Sequence, residues 1–124
     1  MLRWELRLKR LQDEVDNLLR IVEDAYWRMI RDPRYDSYAD VSAASGDLSN
    51  LIATIEDMKK EEPLPPRRLS LKRLQDEVDN LLRIVERIRQ KMLQDPSYKS
   101  FDDLTFVMES IDHLHTTLKD MVSV

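Results

Sequence analysis

The side chains with the widest chemical reach in this chain are two histidines, His113 and His115, in a sequence with no cysteine and a single glycine, Gly46. Imidazole can ligate a metal, take the axial position of a porphyrin, or act as a general base. Two residues apart on a helix, the two rings project about 200° from each other and cannot share one ion. No His-x-x-x-His or Glu-x-x-His occurs, so a zinc or di-iron bundle site lacks its ligand set. His115 alone is placed to serve a porphyrin-like ligand, at a level crowded by Leu18, Leu81, Leu82 and Ile52. A serine or cysteine nucleophile needs an ordered base, and a phosphate cradle needs several glycines; neither pattern is present. Acidic runs such as QDEVD at 12–16 read as solvated helix faces. The expectation is a protein without enzymatic activity, metal or cofactor.

The elements that carry these residues are helical. Charged residues make up 35% and hydrophobic residues 42% of 124 positions, which suits one soluble domain rather than a disordered chain. A net charge of −4 argues against nucleic acid as partner. MLRWELRLKR is charged from its third residue, unlike a secretory signal, and no apolar run approaches the ~20 residues of a membrane span. A soluble protein without membrane insertion is expected, its compartment unassigned.

The sequence LKRLQDEVDNLLRIVE occurs at 8–23 and again, unchanged, at 71–86, an offset of 63. The same offset aligns DPRYDS at 32–37 with DPSYKS at 95–100, Leu51 with Leu114, and Asp57-Met58 with Asp120-Met121. The unit is a helical hairpin used twice: about 1–61 and about 66–124, joined by a proline-rich linker at about 61–66. Each of the four segments carries an apolar seam in steps of three and four, for example Trp4, Leu8, Leu11, Val15, Leu18, Val22, Ala25 and Met29. Leu19, Leu82, Ile52 and Met108 widen the seams to the flanking heptad position, as a four-helix core requires. Pro33 and Pro96 stop the first helix of each hairpin. Ser37 and Ser100, each with an acid three residues on, are the expected N-caps, and Pro66 can open the third helix. Short loops force antiparallel neighbours, so the predicted fold is an all-α, up-down-up-down four-helix bundle.

Divergence between the two copies is uneven. Sixteen residues of the first helices are identical, whereas the second helices differ at almost every position from Tyr38/Phe101 to Asn50/His113. Even solvent-facing residues of the identical stretch (Asp13, Asp16, Asn17, Arg20) are retained. In its tandem hairpins, regular heptads and lack of cysteine the chain resembles designed single-chain four-helix bundles. That resemblance covers the whole chain and implies a fold and a mode of origin, with no motif-level function.

Function is therefore expected where the copies differ. Ala39, Ala43, Gly46, Asn50 and Ala53 form a small-residue stripe on the outer side of the second helix, and Gly in an exposed helix interior costs ~1 kcal/mol relative to Ala. Trp27 falls on the outer face of the first helix, where the third has Gln90; Phe106 and His113 fall on the outer face of the fourth. Together they suggest a protein-binding module, a monomer whose partner is a protein receptor. In size the chain resembles helical cytokines, so a topologically simplified mimic fits, although short loops replace their long crossovers. A second expectation is a small-molecule or porphyrin pocket lined by Ala25, Tyr26, Ala44, Ser45 and His115, because Ala25 and Ala44 stand where the other hairpin has Ile88 and Val107. Tyr26 is the side chain that would otherwise fill that gap. The third is a scaffold with no ligand.

Overall fold

Heptad seams that cannot be buried alone are buried together in the computed structural model, which describes residues 3–62 and 64–123. Four helices follow one another: α1 (Arg3–Arg31), α2 (Tyr38–Glu61), α3 (Pro65–Gln94) and α4 (Phe101–Met121). Every expected seam residue lies in the core except Met29 and Met92, which are half-buried at its end. Leu19, Ile52, Leu82 and Met108 pack on the core from its edges. α1 packs on α2 and α4, and α3 packs on the same two helices.

Polar contacts at the helix borders fix the directions. Arg3 and Arg7 at the start of α1 pair with Glu61 at the end of α2. Lys59 near the end of α2 donates to Gln75 of α3 at 2.7 Å. Thr117 of α4 donates to Glu77 of α3 at 3.1 Å, and Trp4 Nε1 donates to the Met121 carbonyl at 3.4 Å. All four neighbouring pairs run antiparallel, giving the up-down-up-down order.

A pseudo-twofold axis along the bundle relates the hairpins, so residues 63 apart meet on it. At one end the Ser37 and Ser100 hydroxyls lie 3.1 Å apart, both buried. At the other end the Arg67 guanidinium sits 4.8 Å over the ring of Trp4. Both turns are built alike: Tyr35 and Tyr98 N–H donate to the carbonyls of Asp32 and Asp95 at 2.9 Å. The same two aspartates accept from the N–H groups of Arg34 and Ser97 at 3.0 Å. The Ser97 hydroxyl and amide hold the Asp95 carboxyl below its usual range. Arg28 over Tyr35 at 5.7 Å recurs as Lys91 over Tyr98 at 5.5 Å.

Three expectations need correction. Ser37 and Ser100 occupy the N-cap positions, and their carbonyls accept the first helical bonds from Val41 and Leu104, but neither side chain caps. The hydroxyls turn inward to each other because the axis places two polar groups at a buried point where each is the other's partner. Asp40, the expected far side of one capping box, instead accepts from the Tyr35 hydroxyl, a bond that raises the tyrosine pKa. The linker is shorter than expected, since α2 runs through Glu61 and α3 starts at Pro65; its Pro63 lies outside the described residues. Finally, the acidic run is not wholly solvated. Glu14 and Glu77 sit half-buried in the helix grooves, each within reach of a threonine hydroxyl (Thr54 at 3.3 Å, Thr117 at 3.1 Å) and of an arginine one turn earlier.

Burial is the largest influence on Glu14 and raises its pKa, against Arg10 and Thr54, which lower it. A raised folded-state pKa favours the neutral carboxyl, so its stabilising effect is present at acid pH and is lost as pH rises through the folded value. Glu14→Gln is therefore expected to be more stable than the parent at pH 7, by about 0.5 kcal/mol or less, and equal to it below about pH 4. Urea denaturation at both pH values checks this; a variant less stable at pH 7 would contradict it.

Candidate functional site

The helix surface separates the expected binding residues into three groups. Ala39, Ala43, Gly46, Asn50 and Ala53 are all exposed on the outer side of α2. Around Gly46 a methyl group would meet nothing within 4 Å, so no packing inside the protein requires glycine there. Trp27 and Phe106 are each 53% exposed. They do not share a face. His113 Nε2 lies 3.2 Å from Glu77, which sets that side of α4 against α3, and Phe106 is seven residues earlier on the same stripe. Trp27 belongs to the α1 surface beside the α1–α4 groove.

In that groove the structure assembles a patch that single positions did not reveal. Tyr26 stacks on Phe101 of α4 with ring centres 4.7 Å apart and planes at 24°. Trp27 meets Tyr26 edge-on at 5.4 Å and 84°. Ile30, 44% exposed, stands one turn from Trp27 on the same face. At the equivalent α3–α2 groove the same positions hold Arg89, Gln90, Leu93 and Tyr38, so the cluster of three rings belongs to one side of the molecule. Phe101 and Ile30 were not among the expected site residues. The signal that could have found them was the offset of 63, read across helices rather than along them.

The expected interior pocket has a different character. Ala25 and Ala44 are buried and do face a common void, but it measures about 10 Å³. That is the room of about one water. Ile88 and Val107 of the other hairpin fill the layer, and Tyr26 takes no part because it is held against Phe101. Ser45 is buried with its hydroxyl donated to Glu86 of α3. His115 is half-buried at the α1–α4 border, its Nε2 2.6 Å from the Asp16 carboxylate. Ala25 and Ala44 thus share only this small void, while Ser45 and His115 each have separate surroundings, and the expected residues line no common pocket. Among the described residues no group of three or more His, Asp or Glu side chains is placed to hold a metal ion, and no helix is long and apolar enough to cross a membrane. A larger open cleft of about 410 Å³ lies between the two turns, with Ser37 and Ser100 as its floor and Arg34, Asp36, Tyr35 and Lys99 in its walls.

Two outcomes follow from these placements. Gly46→Ala is expected to raise stability by about 0.5–1 kcal/mol in urea denaturation, because it gains helix propensity without contact; a loss would mean that the stripe is covered. Trp4 is 5% exposed against 53% for Trp27. Trp27→Gln should therefore leave a blue-shifted emission resistant to acrylamide, and Trp4→Phe a red-shifted, readily quenched one.

No family model matches this chain, and neither curated proteins nor solved structures include a significant match to it.

Proposed function

We propose that the chain is an engineered tandem-hairpin bundle that binds a partner protein through residues altered on a reused scaffold, without catalysis. The observation that carries this reading is the one-sided aromatic patch of Trp27, Tyr26 and Phe101, with Ile30 at its edge. Large rings supply contact area at low entropic cost, and Tyr26 holds Trp27 from the side, so little ordering remains to be paid on binding. Aromatic anchors that enter a partner's pocket usually dominate interface energy. The stripe at Ala39, Ala43, Gly46 and Asn50, on another face, is the place where a second backbone could approach closely. Sixteen identical residues beside two divergent helices support deliberate reuse of one hairpin. A protein receptor is the partner class that suits a bundle of this size, which makes a simplified helical-cytokine mimic the specific form of the proposal.

The test is biolayer interferometry of the full chain against a panel of immobilised receptor ectodomains. At least one is expected to bind at micromolar concentration or tighter. Trp27→Gln should weaken it about 30-fold or more, as loss of a hot spot does, with the melting temperature unchanged. Phe106→Ala, on the other side, should leave affinity within about threefold. A panel without a binder, or a binder indifferent to both Trp27→Gln and Phe101→Ala, overturns the reading.

A further inference from the structure

Laid over one another, the two hairpins bury nearly the same volume at almost every level of the core. Leu8, Leu11, Val15, Leu18 and Val22 recur as Leu71, Leu74, Val78, Leu81 and Val85. Leu48, Leu51, Ile55 and Met58 are matched by Ile111, Leu114, Leu118 and Met121, which are identical or isomeric. One layer breaks the rule. Ala25, Val41 and Ala44 stand where the second hairpin has Ile88, Leu104 and Val107, so the first hairpin is smaller by three, one and two side-chain carbons. All six residues line the same void of about 10 Å³. The large set already occupies what the small set leaves open.

We propose that this layer is a recognition element: the face of hairpin 1 fits hairpin 2 and rejects a hairpin of its own kind from a second copy of the chain. Because α1 and α3 share sixteen residues, their seams are interchangeable from Leu8/Leu71 to Val22/Val85, and that stretch does not distinguish self from partner. Two first hairpins would carry the small set twice and leave a cavity. Two second hairpins would carry the large set twice, with room for about one water to absorb six carbons. The opposite end repeats the inequality in another chemistry. Trp4 is stacked by Arg67 at 4.8 Å, whereas like pairing would set one Arg67 against another. Tethering favours closure within one chain by raising local concentration, and the layer adds discrimination that concentration alone does not supply.

The test is a mutant cycle in the full chain, read by melting temperature and by light scattering after size exclusion. One variant makes hairpin 1 large (Ala25→Ile, Val41→Leu, Ala44→Val), another makes hairpin 2 small (Ile88→Ala, Leu104→Val, Val107→Ala), and a third combines all six. Each three-residue variant is expected to melt at least about 5 °C below the parent. The combined variant, which transposes the layer across the axis, should recover most of that loss and stay monomeric. If its loss equals the sum of the two, the residues serve only their own sites and the proposal fails. Should a three-residue variant not fold, Ala44→Val with Val107→Ala closes a milder cycle with the same criterion: recovery supports the proposal and additivity overturns it.

Discussion

Four amphipathic helices with seams on a 3.5-residue repeat can leave water only by sharing one core, and every other feature of this molecule follows from that burial. The core runs as a continuous column from Trp4 to the Met29 and Met92 end, with Leu, Ile and Val at its most buried points. Short turns make neighbouring helices antiparallel, and two copies of one hairpin make the column pseudo-twofold. Each buried polar side chain has a partner: Ser37 and Ser100 find each other on the axis, while Ser45 and Thr117 donate to Glu86 and Glu77 at the groove edges.

Symmetry here is a frame from which the chain departs at a few places. Inside, the departure is volumetric: Ala25, Val41 and Ala44 against Ile88, Leu104 and Val107. At the open end it is chemical, an indole against a guanidinium. On the surface it is the ring cluster of Tyr26, Trp27 and Phe101 against Arg89, Gln90 and Tyr38. The identical sixteen residues are not entirely passive either. Asp16 and Asn17, solvent-facing by sequence, are engaged in one copy by His115 and Asp47. Divergence in α2 and α4 thus gives the same α1 and α3 residues different neighbours.

Local pattern and tertiary contact contributed different parts of this picture. Helix identity, seam membership, the proline stops and the pairing of hairpins were legible in the sequence, because periodicity and turn chemistry act over a few residues and the duplication displays each twice. The exposure of Trp27, Phe106 and Gly46 was legible for the same reason: heptad position alone sets which side of a helix meets water. What only the tertiary structure decided is which residues of different helices meet. The two serines abandon their capping role because the axis brings them within 3.1 Å. Tyr26 leaves the alanine gap because Phe101 offers it a stacked ring, and the gap is filled from across the core by Ile88 and Val107. Trp27 and Phe106, alike in sequence terms, are separated onto different sides because adjacent grooves of a four-helix bundle face different neighbours. A repeat specifies faces, since a face is a local property of one helix. Contacts depend on how four faces are turned toward each other, and that is settled only when all of them compete for the same buried volume.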